Sequence, residues 1–112
     1  MDDYKIEFEK VPWVDAAPGL KYKEFIKDNK KLRLVEFSDN FIEKDWCEKG
    51  HFGIALDGRA LVLFNNGLNV TFAKGDIINI PHGENDKHKT IISKGEKALV
   101  LFFEDNYLSM FA

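Results

Sequence analysis

The side chains best suited to chemistry in this chain lie in two short stretches. The first, residues 46–51 (WCEKGH), contains the single cysteine and one of the three histidines, and Asp45 precedes it. The second places Asp86 two residues before His88. Because residues two apart on a strand share one face, Asp45 lies beside Cys47, and Asp86 beside His88, if these stretches are extended. Each stretch can then present a carboxylate together with a thiol or an imidazole.

A nucleophilic cysteine–histidine dyad is one interpretation of the first stretch. Cysteine reacts as the thiolate, which requires a close imidazolium or another positive group. On a regular strand, two positions four residues apart lie about 13 Å from each other. Contact between Cys47 and His51 therefore needs a turn, which Gly50 permits. No third group that would orient the histidine is identifiable. The alternative is structural: Cys47 is a small buried side chain, and His51 and His88 are satisfied by backbone hydrogen bonds.

The elements that must position these residues are short β-strands. Residues 53–64 read as two apolar strands around Asp57-Gly58, a dipeptide typical of hairpin turns. Residues 77–80 are an apolar run between two turn signals, Gly75-Asp76 and residues 81–83. Such strands without a helical period predict an all-β sandwich or barrel, whose mouth is a natural ligand site. Further strands are predicted at residues 4–9, 20–26, 32–37, 69–72, 89–92 and 98–103, and residues 106–112 as a helical turn or an edge strand.

The glycine hairpin and the strand after it resemble the cupin superfamily. Typical cupins read G-x5-H-x-H-x3,4-E-x6-G in a first motif and G-x5-P-x-G-x2-H-x3-N in a second. Here Gly58 corresponds to the last glycine of the first motif, and Gly75, Pro81 and Gly83 begin the second. The resemblance covers residues 20–103. It implies an all-β, cupin-type double-stranded β-helix (jelly-roll) barrel.

The same resemblance implies a metal site. The family's two His, its Glu and its third His hold the ion, and these positions fall here on Asp45, Cys47, His51 and Asp86. None is kept, yet each is replaced by a residue type able to bind metal. Since Asp86 and His88 share a strand face, His88 is the candidate for the last ligand. The implied ligands are Cys47, His51 and His88 for Zn, Fe, Mn or Ni, with Asp45 or Asp86 as a fourth ligand or general base.

Three functions fit this pattern, and fold alone does not choose among them. The first is a metal-dependent isomerase, lyase or oxygenase acting on a small molecule. The second is a metal-free module that binds or senses a sugar or an organic acid. A third is a structural dimer partner with a filled interior.

Four further side chains have alternative roles. Arg33 either pairs with a substrate carboxylate or is a surface charge. Trp13 and Tyr22 either close the mouth of the barrel or pack as part of an aromatic core, and His82 lies in a solvated turn.

Composition limits the partners and the compartment. With 112 residues and 45% hydrophobic content, residues 1–112 are predicted to form a single folded domain. A net charge of -3 without a basic cluster argues against nucleic-acid or membrane partners. The absence of a signal-peptide pattern and of a second cysteine favours the cytoplasm. Residues 4–9 alternate like an unprotected edge strand, which predicts a homodimer.

Overall fold

The chain folds almost entirely into β-strands, as the sequence predicts. The structure, a computed structural model, describes residues 4–105, and within them eight strands and two short 3₁₀ turns. Residues 106–112 lie outside the described residues, and the prediction of a helical turn or edge strand there is untested. Among residues 4–105 there is no helix with the length and apolar character needed to span a bilayer. The strands are β1 Val14–Ala17, β2 Leu20–Lys27, β3 Lys30–Ser38, β4 His51–Phe64, β5 Asn69–Ala73, β6 Ile77–Ile80, β7 His88–Ile91 and β8 Lys97–Asp105.

Strand β4 joins two antiparallel sheets. Its first half pairs with β8 on one side and β6 on the other, and its second half pairs with β5 and β7. Beyond β8 the first sheet continues through β3 and β2 to β1 at its edge. Because β4 runs through both sheets, residues at its two ends can face each other across one interior. That interior is the place for a ligand.

The predicted hairpin at Asp57-Gly58 is wrong, because the chain does not reverse there. Residues 51–64 form one strand, and its register against β8 shifts between Ala55 and Asp57, so Leu56 is an extra, bulged residue. Gly58 has a φ of 67°, whereas Asp57 is not among the residues with positive φ. A two-residue hairpin of the expected type needs positive φ at both positions. A bulge with one left-handed glycine bends the strand instead of ending it.

The predicted edge strand at residues 4–9 is also wrong. The segment contains a 3₁₀ turn, Phe8–Lys10, and Tyr4 is 95% exposed. Its carbonyl groups are bound by a side chain, because the Lys23 ammonium lies 3.1 Å from the Phe8 oxygen and 3.4 Å from the Glu9 oxygen. The homodimer prediction therefore loses the strand on which it was based.

The core occupies the space between the two sheets. Inward positions of β3, β4, β6 and β8 supply a buried cluster of aliphatic and aromatic side chains, which comprises Val35, Val62, Ile78, Ile80, Val100 and Phe102. On β3 the alternation puts Arg33 on the same side as the buried Val35. On β8 it puts Glu104 on the same side as Phe102. One end of the interior thus carries charged side chains, and the middle is apolar.

Candidate metal centre

Cys47 and His88 are brought together by a backbone bridge. The Cys47 N–H donates to the His88 carbonyl at 2.9 Å, and the His88 N–H donates to the Cys47 carbonyl at 3.0 Å. This isolated antiparallel bridge ties the loop before β4 to the first residue of β7. Two residues far apart in the sequence therefore meet at one end of the interior, where the His88 side chain is only 2% exposed.

His51 enters the same site as the first residue of β4. It pairs with Ile80 on β6, and the loop before it is held by the Gly50 N–H, which donates to His82 Nδ1 at 2.9 Å. Gly50 lies so close to the backbone of residues 80–82 that a Cβ there would collide with it. His82, expected in a solvated turn, is exposed but also fixes the approach to His51.

Three potential metal donors converge. The Cys47 sulfur and one ring nitrogen each of His51 and His88 lie within 4.8 Å of one another. Tetrahedral Zn²⁺ with bonds of 2.0–2.3 Å holds its donors roughly 3.6 Å apart, so small side-chain rotations suffice to bind an ion. The two imidazole rings pack edge to face with centroids 5.2 Å apart. Thiolate plus two imidazoles is a set that borderline metals favour.

The protonation states also suit a metal. His88 Nδ1 lies 3.0 Å from the Asp86 carbonyl oxygen, and an N–H donated there leaves the Nε2 lone pair free. Burial, with a smaller contribution from neighbouring His88, lowers the pKa of His51 from 6.5 to about 4, so its ring is neutral near pH 7. Its Nδ1 is buried and has no hydrogen-bond partner among the described residues. A ligand would satisfy that atom.

The donors line a cavity of about 190 Å³ between the sheets. Its walls are mostly apolar, and its polar lining includes Tyr22, Arg33, Glu43 and Glu104 besides the three donors. A pocket of this kind, apolar with a few convergent polar groups, is the usual form of a small-molecule site. The filled interior required by a purely structural role is not what the structure shows.

The two carboxylates predicted for catalysis are not brought to the cavity. Asp45 is exposed in the loop before Cys47, and Asp86 lies in the 3₁₀ turn Glu84–Asp86. Neither is among the residues that line the cavity. The physical reason at Asp86 is that the 3₁₀ turn breaks the strand alternation expected between residues 86 and 88. Asp86 contributes its backbone carbonyl to the site instead.

Sequence reasoning missed the charged end of the cavity. Glu104 lines it, but the predicted strand 98–103 stops one residue short of this glutamate. Arg33 lines it too, although a surface charge was the other interpretation. The signal available was the period-2 alternation of β3 and β8. It could not decide which face is inside, because both faces of β3 carry apolar groups.

Comparison with known proteins identifies the fold. Neither the protein-family models nor the curated protein sequences give a match. Among solved structures, the polyketide cyclase RemF from Streptomyces resistomycificus superimposes with a TM-score of 0.74 at 18% identity, covering 91% of this chain and 78% of that one. KdgF from Halomonas sp. gives 0.71 at 19% identity, with 95% and 94% covered.

A third neighbour carries the family name that the motifs suggest. It is a cupin-2 domain-containing protein from Shewanella frigidimarina, with a TM-score of 0.58 at 22% identity and coverage of 75% and 78%. At these identities the likeness concerns the backbone and not the activity. The jelly-roll prediction is confirmed: the chain has the β-barrel fold of the cupin superfamily.

Proposed function

We propose that this protein binds a small molecule in its barrel cavity beside a divalent metal ion, and that it acts as a metal-dependent isomerase, lyase or oxygenase. The observation that supports the proposal is the convergence of Cys47, His51 and His88 on one point of the cavity wall. Three protein ligands leave a coordination position for water or substrate, as in catalytic sites. The domain is proposed to work as one unit, because all three ligands come from its single interior.

Each residue has a defined task under this proposal. Cys47, His51 and His88 would hold the ion, which when bound polarises an oxygen of the ligand or activates water. The Asp86 carbonyl orients the His88 ring. Phe102, whose ring centroid lies 4.8 Å from that of His51, shields the imidazole from solvent. The geometry gives no preference among zinc, iron, manganese and nickel.

Metal content is the direct test. We expect near-stoichiometric divalent metal in protein purified without chelators, and a loss of most of it in Cys47→Ala, because one of three ligands is gone. Affinity should fall by more than the roughly 10–100-fold that orienting groups contribute. Lys97→Met, which removes an exposed charge on the outer face of β8, is the control and should keep its metal. Cobalt substitution adds a sulfur-to-metal absorption band that only Cys47 can produce.

The metal-free binding module remains the second candidate, and one observation favours it. Neither Asp45 nor Asp86 reaches the cavity, so the proposed fourth ligand and general base are missing from its lining. A protein that contains no metal, takes none up on titration and shows no cobalt band would contradict the metalloenzyme. The cavity would then serve a sugar or an organic acid directly.

A further inference from the structure

The cavity contains a second polar feature, separate from the three metal donors. Charged side chains from three neighbouring strands gather at its end: Arg33 on β3 and Glu104 on β8 line the cavity, and behind them Glu24 on β2 pairs with Arg33 and Lys31 on β3 pairs with Glu104. Lys49, in the loop before β4, joins them through Glu104. Charged groups at inward positions of a small barrel are costly unless they are paired or used. Their pairing therefore shows which of them is available to a ligand.

Glu104 is occupied by the two lysines. Its carboxylate accepts a hydrogen bond from Lys49 Nζ at 3.1 Å and lies 3.3 Å from Lys31 Nζ. Burial tends to raise the pKa of Glu104, but the Lys49 and Lys31 ammonium groups outweigh burial and hold that pKa below its usual value. Glu104 is thus a charged carboxylate whose partners are already in place. It is not a free acid or base.

Arg33 is less well satisfied. Its Nη1 lies 3.7 Å from Glu104, and its Nε lies 3.3 Å from Glu24, yet this buried Nε–H makes no hydrogen bond among the described residues. The guanidinium carbon stands 4.5 Å from the centroid of the Tyr22 ring. Stacking on an aromatic face holds the guanidinium plane and leaves its edge available for a bidentate partner.

The guanidinium itself sets the sign of that partner. Two further charged groups of the lining already have partners, because Arg59 Nε donates to Glu96 at 2.9 Å and Glu43 accepts from the Thr90 N–H at 2.7 Å. Arg33, whose buried Nε–H has no acceptor among the described residues, is the donor left for an anion. A carboxylate matches the planar fork of Arg33 in both charge and shape.

We propose that Arg33, stacked on Tyr22, binds the carboxylate of a small organic acid in the cavity. The volume of about 190 Å³ has room for a small organic acid. The inference rests on the proposed function only in taking this cavity as the ligand site. It names the substrate class, and it holds whether or not a metal is bound.

The test compares a carboxylate with its neutral amide on chelator-treated protein. Lactate and lactamide have nearly the same size and differ in charge. Their binding is followed by NMR titration with ligand concentrations up to about 20 mM, which detects dissociation constants in the millimolar range. We expect lactate to bind, lactamide to bind at least about tenfold more weakly, and salt to weaken lactate binding. The shifted resonances should include those of Arg33 and Tyr22.

The variants separate charge from geometry. Arg33→Met removes the guanidinium and should weaken lactate binding at least about tenfold. Arg33→Lys keeps the charge without the planar fork, and its affinity for lactate should lie between that of Arg33→Met and that of the native protein. Lys97→Met, which removes an exposed charge on the outer face, is the control and should leave binding unchanged. If the dispersion of the NMR spectrum shows that Arg33→Met does not fold, the measurements on Arg33→Lys and with lactamide still test the proposal.

Two outcomes would overturn the proposal. One is native protein that binds lactate and lactamide equally or binds neither. The other is lactate binding unaffected by folded Arg33→Met and Arg33→Lys. Cys47→Ala should retain lactate binding, because the measurement excludes metal. Native protein that contains and takes up no metal but binds lactate through Arg33 would thus refute the metalloenzyme alone. Native protein that holds its metal through Cys47 but does not bind lactate would refute the Arg33 site alone.

Discussion

At the scale of single residues, His51 links the site to the stability of the fold. Its pKa of about 4 in the folded chain lies below the ordinary value of 6.5, mainly because the ring is buried. The unfolded chain therefore binds a proton more tightly, and folding stability is lost as pH falls through this interval. The full difference corresponds to about 3 kcal/mol, a large part of the stability of a small domain.

This effect predicts a pH-dependent stability that depends on one side chain. In chelator-treated protein, the free energy of unfolding should fall between pH 7 and pH 5, above the range in which Glu104 titrates. His51→Gln should flatten that slope whatever its stability at pH 7, and Lys97→Met, which changes an exposed charge on the outer face of β8, should keep it. Urea denaturation at several pH values measures all three. An unchanged slope in His51→Gln would show that burial of the His51 ring does not cause the pH dependence of stability.

At the scale of elements, the bulge in β4 determines where the interior lies. Gly58 has a φ of 67°, and a Cβ there would collide with the Lys97 carbonyl oxygen on β8. Without the bulge, β4 could not pass from one sheet to the other, and residues at its two ends would not share a cavity. The glycine is therefore required by both backbone conformation and space.

Gly58→Ala should accordingly destabilise the fold by more than backbone strain alone. A left-handed non-glycine residue costs about 1–2 kcal/mol, and the contact with β8 adds to that cost. Gly95→Ala is a matched control, since Gly95 has a φ of 81° but no atom within 4 Å of the added Cβ. We expect Gly58→Ala to lower the urea midpoint clearly more than Gly95→Ala does. Equal decreases in the urea midpoint would mean that β8 moves away from the added Cβ without a cost in free energy.

The elements also show what the sequence can and cannot predict. The apolar run at residues 77–80 became β6 with the same bounds, because turn residues define both of its ends. The dipeptide at residues 57–58 was misread because a hairpin turn and a bulge both use a left-handed glycine, and only the long-range pairing with β8 distinguishes them. The meeting of Cys47 with His88 likewise depends on a bridge across 41 positions that no local pattern encodes.

At the scale of the whole molecule, the outer face of the first sheet is unusually apolar. Phe52 is 57% exposed, and its ring centroid lies 6.3 Å from that of Phe103 on β8. Ile77 on β6 and the bulged Leu56 are exposed on the same three neighbouring strands. Contiguous exposed apolar side chains of this kind typically mark a surface for association. They offer the predicted homodimer a sheet face in place of the missing edge strand.

A second copy of the chain is the occupant we expect, because an exposed apolar face can be buried by its own equivalent across a twofold axis. Phe52→Glu puts a charge into the middle of that face and should convert a dimer into a monomer by light scattering, since like charges would meet across the axis. Leu68→Glu is the control: Leu68 is equally exposed at 57%, but it lies in the turn between β4 and β5. A native protein that is monomeric at all concentrations would refute the dimer. A dimer that survives Phe52→Glu would place the contact on another surface. The cavity lies on the opposite side of the sheet and should bind lactate equally in the monomer and in the dimer.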